Sequence, residues 1–284
     1  MGAAAMMAGL LTRSLVQPIL KMTDDLEHIQ ENVPYKELIP FAESIHSDRL
    51  LRENNEKMRQ EFTANVSHEL KTPLTSISGY AELIETGIAK SADVPEFGRK
   101  IHVEASRMIQ LVNDILQLSH LDNVSETNDT PQMETVDLLD VAKECVERQK
   151  VNAQKSFISL TYLGESAPVL GSRSLLDELC QNLCDNAIRY NRPGGKVQII
   201  TACTRDGHCT LTVKDNGIGI PKEAQTSVFE RFYRVDKSRS KATGGTGLGL
   251  AIVKHIARIH NAKIKLESEV DEGTTITVLF ETAH

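Results

Sequence analysis

The sequence predicts an α+β protein in which an N-terminal helical hairpin is followed by an α/β sandwich. Before residue 121, apolar residues recur every three or four positions, which is the helical period. After residue 132, strand patterns and helical patterns alternate. The polar stretch LDNVSETNDTPQ at 121–132 separates these two regions and predicts a linker between them.

The composition argues against nucleic-acid binding. The 284 residues are 40 % hydrophobic and 25 % charged, and the formal net charge is −7. A chain of this length can form one large domain or two modest domains with their own cores. A nucleic-acid-binding protein normally carries a basic patch or stripe, and the sequence shows none. We therefore expect no nucleic-acid partner.

The first 13 residues form an apolar stub. Their apolar run stops at Arg13 and covers about half of the roughly 20 residues that cross a bilayer. The stub lacks the basic leader and the small-residue cleavage site of a signal peptide. Two interpretations remain: a short amphipathic lead-in, or the cytosolic end of a transmembrane helix that begins outside this sequence.

Two long helices are predicted to form the hairpin. The first runs from Phe41 to Thr86 and the second from about Pro95 to Leu121, and the segment GIAKSAD that joins them is short. Such a connection favours an antiparallel pair of helices. Because one hairpin cannot bury two apolar stripes well, we expect two copies to pair into a four-helix bundle.

A histidine stands on the exposed face of the first helix. At about 100° per residue, seven apolar residues lie roughly 120° to 240° from His68 around the helix axis; they are Phe62, Val66, Leu70, Leu74, Ile77, Ala81 and Ile84. His68 is therefore not a core residue. Glu69 lies beside it, and Pro73 should bend the helix one turn beyond it. An exposed histidine usually has no function, so any role depends on the rest of the chain.

The C-terminal half contains a polar stripe on a predicted helix. Glu178, Asn182 and Asn186 stand at i, i+4 and i+8 and share one helical face. Asparagine is a poor residue for a helix interior, because its side chain competes for backbone hydrogen bonds. The stripe indicates either a ligand or an internal cap network, and taken alone it fits both about equally.

Two glycine-containing segments follow that helix. The strand pattern CTLTVKDNGIGIP ends at Asp215 and continues into Gly217 and Gly219. Farther on, a glycine-rich loop at 244–249 opens into an amphipathic helix, so its backbone N–H groups suit phosphates at a positive helix end. The loop is neither a Walker A loop nor a convincing Rossmann turn.

The five cysteines are predicted to be reduced. Their number is odd, and the sequence contains no CxxC pair and no following histidine pair at zinc spacing; they are Cys145, Cys180, Cys184, Cys203 and Cys209. Cys180 and Cys184 lie one helical turn apart, which leaves a metal pair open, but buried core thiols are the commoner case.

Five segments together resemble the motifs of the sensor histidine kinases. FTANVSHELKTPLTSISGYAELI resembles the H box, NLCDNAIRY the N box, DNGIGI the first glycine box, FERFYRVD the F box and GGTGLGL the second glycine box. They occur in the order and at the spacing usual for that family. The resemblance implies a dimerisation and phosphotransfer hairpin at 59–123, a linker at 124–132, and an ATP-binding domain at 133–284. This domain would have the Bergerat fold, the α/β sandwich shared with gyrase, Hsp90 and MutL.

The resemblance also implies roles for individual residues. His68 would be the phosphoacceptor, and Thr72 would position water for dephosphorylation of a partner. Glu69 would orient the His68 ring and take up its proton or stabilise the charge that develops. Asn186 would hold Mg²⁺ and Asp215 would recognise the adenine amino group. The other nucleotide-binding residues would be Asn182, Arg189, Tyr190, Gly217, Gly219, Arg234, Gly245, Thr246, Gly247, Leu248 and Gly249. The segment 221–243 would form a mobile lid that carries Lys222, Lys237, Arg239 and Lys241.

The implied function is that of a homodimeric histidine kinase. A neutral imidazole offers a lone pair for attack on the γ-phosphoryl group of Mg-ATP. The phosphoryl group would pass to an aspartate of a response regulator, which must be a separate protein because the chain contains no receiver-like segment. The H-box residues from His68 to Thr72 also resemble those of relatives that dephosphorylate their regulators.

Two other functions are compatible with parts of the sequence. A gyrase-like or Hsp90-like ATPase would share the fold, but those relatives have a glutamate four residues before the metal-binding asparagine, where this chain has Asn182. A pseudokinase scaffold would bind nucleotide or partners without catalysis, yet every motif position that activity needs is filled.

The residues before the H box resemble a membrane-proximal relay. SLVQPILKMTDDLEHI, a break at 32–35 and a helix from Glu37 are similar to a HAMP domain, whereas YKELIPFAESI departs from its pattern. Residues 14–58 are therefore either HAMP-like or a coiled-coil linker. Together with the stub, they imply the cytoplasmic domain of a bacterial inner-membrane protein.

Overall fold

The structure is a computed structural model that describes residues 35–126, 131–204, 207–236 and 245–281, together with residues 2, 9, 13 and 33. The chain divides into two compact units, Met1–Glu69 and Leu70–His284. Most of the predicted stub, and residues 14–32 and 34 of the predicted linker at 14–58, lie outside the described residues. Within the described part of the chain, no helix combines the length and the hydropathy that crossing a bilayer requires.

Helix α1 confirms the first predicted helix. A short 3₁₀ helix, Lys36–Leu38, leads into α1, which spans Ile39–Glu85 and contains Pro73 without ending there. Exposed ion pairs one turn apart join Arg49 to Glu53 and Asp48 to Arg52. Such pairs add a few tenths of a kcal/mol each to a helix, so they support α1 only modestly.

Helix α2 is longer than the sequence predicts. It spans Val94–Glu126, so residues 124–126 of the predicted linker are helical. The turn from α1 is fastened by Tyr80 and Phe97, whose ring centroids lie 5.3 Å apart, and Lys100 Nζ lies 5.4 Å from the Tyr80 ring centroid. The predicted end at Leu121 was wrong. Leu121 is the last buried leucine of the helix, but the polar residues after it have moderate helix propensities and do not end the helix.

Helix α2 has two apolar faces. The side chains of Leu111, Leu118 and Leu121 are almost fully buried where α2 packs on the last helix of the chain. Ile109, Val112 and Leu116 are largely exposed. With about 100° of rotation per residue, the two sets lie roughly 170° apart around the helix axis. One face is thus covered by the chain itself, and the other is open.

In the residues that the structure describes, the C-terminal domain is a five-stranded sheet covered by three helices. The sheet order is β2–β4–β5–β7–β6, in which only the β2–β4 pair is parallel, and β1 and β3 form a separate antiparallel ribbon. The strands are β1 Glu134–Asp137, β2 Ser159–Gly164, β3 Pro168–Gly171, β4 Lys196–Cys203, β5 His208–Asp215, β6 Lys263–Glu269 and β7 Gly273–Glu281. The helices are α3 Leu138–Lys155, α4 Arg173–Arg189 and α5 Gly249–Ile259, with a short 3₁₀ helix at Lys222–Ala224.

Alternating burial along the central strands places the core of this domain. In β5, Cys209, Leu211 and Val213 are buried while the residues between them are not, and β4 and β7 follow the same alternation. Helices α3, α4 and α5 pack on the sheet and on one another. A strand with period-two burial has one face on a core, so the helices cover one side of the sheet. The predicted α+β class and α/β sandwich are confirmed.

The cysteine prediction is wrong for one pair. Cys203 and Cys209 occupy directly paired positions of β4 and β5 and form a disulfide bond. The sequence gives no sign of this bond, because a separation of six residues does not show that the two thiols meet across a hairpin. Cys145, Cys180 and Cys184 are free and buried, as predicted.

Candidate functional site

A cavity of about 380 Å³ opens beside α4 at the ends of β5 and β7. Its walls combine apolar side chains with a few polar groups, which is typical of small-molecule sites. Nine of the residues that the sequence analysis assigned to the nucleotide line it: Asn186, Tyr190, Asp215, Gly219, Arg234, Gly245, Thr246, Gly247 and Gly249.

Asp215 is held at the end of β5 by backbone groups. Its Oδ1 accepts hydrogen bonds from the Gly217 N–H at 2.8 Å and from the Thr274 N–H at 3.2 Å. Burial raises the pKa of Asp215 to about 6, although both hydrogen bonds act in the opposite direction. The carboxylate is therefore fixed in orientation and partly desolvated, which suits it to accept a hydrogen bond from a ligand.

Two glycines after Asp215 are required by close backbone contacts. Gly219 has a φ of 69°, and a Cβ atom there would lie 1.9 Å from the Glu269 carbonyl oxygen. A Cβ atom on Gly217 would lie 2.4 Å from the Tyr190 carbonyl oxygen. These positions let the chain pass between α4 and the turn after β6, and thereby shape one wall of the cavity.

Helix α4 brings its polar stripe against the glycine-rich loop. A Cβ atom on Gly249 would lie 3.0 Å from Asn182 Oδ1 and 3.5 Å from Asn186 Nδ2. A Cβ atom on Gly245 would lie 3.0 Å from the Tyr190 hydroxyl and 3.2 Å from Arg189 Nη1. Asn182, Arg189 and Gly217 thus stand next to cavity-lining residues without lining the cavity themselves.

The described part of the glycine-rich loop leads directly into α5. Gly247 has a φ of 74°, and the buried Leu248 is the N-cap of α5, which has no side-chain cap. The Leu248 N–H donates a hydrogen bond of 3.3 Å to the Thr246 hydroxyl. The first backbone N–H groups of α5 therefore lie beside the cavity, where a helix N-terminus favours an anion.

Some residues of the cavity were missed by the sequence analysis. The apolar wall includes Leu183, Ile218, Val228 and Ile276, and Thr274 contributes its backbone N–H to Asp215. Apolar residues in strands and helices are ordinary core positions in a sequence, so nothing distinguishes those that face a cavity. Of the predicted lid, Lys222 lies in the second 3₁₀ helix, whereas Lys237, Arg239 and Lys241 lie outside the described residues.

His68 lies on the exposed surface of α1, as predicted. Glu69 and Thr72 follow on the same helix and are half-buried. The Ser76 hydroxyl donates to the Thr72 carbonyl oxygen at 3.3 Å, so this turn keeps an extra hydrogen bond next to Pro73. His68 belongs to the unit 1–69, and the cavity belongs to the unit 70–284.

The described residues contain no group of three or more histidine, cysteine or acidic side chains that could hold a metal ion. A Mg²⁺ ion that arrives with a polyphosphate needs fewer protein ligands, because phosphate oxygens and water complete its shell. The Asn186 carboxamide at the cavity wall is a suitable hard oxygen ligand for such an ion.

Two family models match the chain. The model described as the "His Kinase A (phospho-acceptor) domain" matches residues 58–124, and that described as "Histidine kinase-, DNA gyrase B-, and HSP90-like ATPase" matches residues 171–284. The chain belongs to the sensor histidine kinases. The matched regions are the α1–α2 hairpin and the part of the C-terminal domain that builds the cavity.

Curated relatives of this chain are named as sensor kinases. It is 41 % identical over 242 residues to the sensor-like histidine kinase SenX3 of Mycolicibacterium smegmatis, a match that covers 84 % of this chain and 61 % of SenX3. It is 39 % identical over 225 residues to the sensor protein kinase WalK of Staphylococcus saprophyticus, which covers 78 % of this chain and 36 % of WalK. The chain thus spans less than two thirds of the length of these relatives.

Two solved structures share the fold of this chain. The histidine kinase ThkA, crystallised in complex with the response regulator TrrA, has a TM-score of 0.66 at 22 % identity and covers 84 % of this chain and 66 % of that chain. The Acinetobacter baumannii histidine kinase AdeS has a TM-score of 0.59 at 24 % identity, over 76 % of this chain and 98 % of that one. These likenesses concern the fold alone.

Proposed function

We propose that this chain transfers the γ-phosphoryl group of ATP to His68 and then to an aspartate of a separate response regulator. The observation that carries the proposal is the cavity in the nucleotide-binding half, where Asp215, Asn186 and the glycine-rich loop stand together. The match of residues 58–124 to a phosphoacceptor domain supports His68 as the acceptor.

The cavity can hold each part of ATP. The Asp215 carboxylate would accept a hydrogen bond from the adenine amino group between apolar walls. Backbone N–H groups of the glycine-rich loop and the Arg234 side chain would bind phosphate oxygens. Arg189 and Tyr190 would support the loop from α4. Mg²⁺, when bound through Asn186, would neutralise the charge that phosphoryl transfer develops.

The His68 imidazole would supply the nucleophile. A neutral ring attacks the γ-phosphorus in line with the leaving ADP oxygen, and Glu69 would orient the ring and receive its proton. The exposed position of His68 is what this chemistry requires, because the ring must meet first ATP and then the aspartate of the regulator. ATP hydrolysis as the main reaction is disfavoured, since the Asn182 carboxamide cannot act as a base for water.

We further propose that the active form is a homodimer built through the open face of α2. Ile109, Val112 and Leu116 form an exposed apolar stripe, and Leu74 of α1 is also exposed. A second copy of the hairpin would bury these side chains in a four-helix bundle.

We also infer that the chain is the cytoplasmic part of a bacterial inner-membrane sensor, supported by the apolar residues 1–12 and by the names of its relatives. Full-length protein found only in the soluble fraction would overturn that last inference.

Incubation with γ-labelled ATP and Mg²⁺ tests the central proposal. The wild-type chain should acquire a label that is stable in alkali and lost in acid, because a phosphoramidate has this stability. A His68→Gln variant should bind nucleotide with unchanged affinity and acquire no label. Labelling of both proteins would overturn the assignment of His68, and nucleotide binding without any label would favour a scaffold.

A further inference from the structure

Helix α2 carries a buried carboxylate that is bonded to the glycine-rich loop. Asp114 Oδ2 accepts a hydrogen bond of 2.6 Å from the Thr246 hydroxyl, and Asp114 Oδ1 accepts one of 2.7 Å from Gln110 Nε2. The exposed fractions of Asp114 and Thr246 are only 8 % and 7 %. This contact joins the phosphoacceptor hairpin to the loop that lines the nucleotide cavity.

A second polar contact fastens the same face of α2 two turns farther on. Arg231 Nη2 lies 2.8 and 2.9 Å from the two carboxylate oxygens of Asp122, and His255 Nδ1 lies 3.4 Å from one of them. Between the two contacts, Leu118 and Leu121 are fully buried. The nucleotide-binding domain is therefore docked on α2 by an apolar centre with a polar contact at each end.

Asp114 interacts with another carboxyl group, that of Glu178 on α4. Burial raises the pKa of Glu178 to about 7, and the charge of Asp114 adds to this shift. Glu178 Oε1 is buried and has no hydrogen-bond partner. Burial raises the pKa of Asp114, and the positive charge of Arg189 on α4 offsets only part of this increase. An additional anion placed beside the Asp114 carboxylate would be repelled.

Under the function proposed above, the phosphates of ATP are that additional anion. Thr246 lines the cavity, and its hydroxyl donates its hydrogen bond to Asp114. The phosphates of ATP and helix α2 would therefore compete for contacts with the glycine-rich loop. We propose that Asp114 is a positioning residue that holds the glycine-rich loop on α2 and is displaced when the phosphates of ATP bind. Because such coupling is reciprocal, docking on α2 lowers the affinity for ATP by the factor by which ATP weakens docking.

Binding of a non-hydrolysable ATP analogue, AMP-PNP, to the full chain tests this proposal by calorimetry. Asp114→Asn keeps the size of the side chain and removes its charge, and it should lower the Kd of AMP-PNP at least about fivefold. Asp122→Asn is distant from the loop but loosens the docking, so it should lower the Kd in the same direction. Glu96→Gln is the matched control: it removes one negative charge from an exposed part of α2, and it should leave the Kd unchanged.

The sign of the effect separates this role from a merely structural one. If Asp114 only supports the loop, Asp114→Asn raises the Kd or leaves it unchanged and Asp122→Asn has no effect, and the proposal is overturned. If neither the wild type nor any variant binds AMP-PNP, the proposed nucleotide site is itself wrong. Adenosine provides a further control, because a ligand without phosphates should bind all four proteins equally.

Hydrogen exchange gives a second readout of the same coupling. In the wild-type chain, AMP-PNP should speed amide exchange in peptides from 111–122 of α2, whereas adenosine should not. Slower exchange in these peptides with AMP-PNP would show that the nucleotide strengthens docking, which contradicts the proposal.

Discussion

The C-terminal domain and the helical hairpin differ in how they bury their apolar side chains. In the domain, Leu211, Val278 and Phe280 are at most 2 % exposed within a single chain. In the hairpin, Ile109 and Leu116 are both 64 % exposed. A closed core supports a domain that folds alone, whereas an apolar stripe of this kind marks a surface that another chain covers. The difference supports the proposed ligand binding by the first region and the proposed assembly through the second.

The largest expected effect is on the open face of α2. Leu116→Glu places a charge in the stripe that a second copy would bury, so the chain should become fully monomeric at micromolar concentration. Light scattering coupled to size exclusion measures the molar mass directly. Leu116→Met, which preserves the apolar volume, should remain dimeric. A dimeric Leu116→Glu protein would show that the bundle forms through another face.

Gly219 tests the closed core of the C-terminal domain. Gly219→Ala should lower the free energy of unfolding by about 3 kcal/mol, because the new Cβ atom meets the Glu269 carbonyl in a left-handed backbone conformation. Gly194→Ala is a matched control with a similar φ and no atom within 4 Å of the new Cβ, and it should cost about 1 kcal/mol. Urea unfolding of both variants measures the difference, and equal losses would contradict the close contact.

The pH dependence of adenosine binding tests the ligand-binding half more finely. Because the pKa of Asp215 is raised to about 6, its carboxylate becomes protonated below that pH. A neutral carboxyl group is a weaker hydrogen-bond acceptor for the adenine amino group than a carboxylate. The Kd should rise up to about tenfold for each pH unit below 6. Adenosine avoids the ionisation of the ATP phosphates. Asp215→Asn should bind more weakly at neutral pH and lose this dependence, and a dependence that persists in the variant would exclude Asp215 as its source.

The smallest expected effect concerns the N-terminus of α3. Asp137 accepts hydrogen bonds from the backbone N–H groups of Leu139 and Ala167 and from the Ser166 hydroxyl. Burial acts to raise the pKa of Asp137, but these bonds together lower it. A carboxyl group with a lowered folded-state pKa stabilises the fold above the unfolded-state pKa, and this stability is lost as the pH falls through the folded-state value.

Asp137→Ala should therefore cost about 1 kcal/mol at pH 7 and less near pH 3. Asp140→Ala, in the first turn of the same helix, removes an acid whose exposed ion pair with Lys143 contributes little. Thermal unfolding at both pH values measures the two variants. An equal loss at pH 7 and pH 3 would show that the hydrogen bonds of Asp137 do not depend on its charge.

The sequence predicted both helices of the hairpin, the strand that ends at Asp215 and nine of the residues that line the cavity. Periodicity identified these helices and this strand, because a segment with one apolar face repeats its apolar residues at a fixed interval. Spacing along α4 placed Asn182 and Asn186 on one stripe, and both lie beside the glycine-rich loop. The segment motifs supplied the link between this stripe and a nucleotide.

What the sequence could not predict depends on contacts between distant residues. The Cys203–Cys209 bond follows from the register of β4 and β5, which local patterns do not determine. The bond between Asp114 and Thr246 joins residues 132 positions apart. A lone aspartate on the apolar side of a helix gives no sign of its partner until the packing of α2 on α5 is known.

The two opposite faces of α2 have a mechanical consequence. One face of α2 contacts the nucleotide-binding domain, and the other is the face that a second copy of the hairpin would cover. A rotation of α2 about its own axis would therefore move these two partners relative to each other. A twist of even a fraction of 100°, the angle between neighbouring residues, would shear the Asp122–Arg231 ion pair and the leucines beside it. A rotation transmitted through the hairpin would therefore change the contacts of the docked nucleotide-binding domain, without a change in the loop that connects this domain to α2.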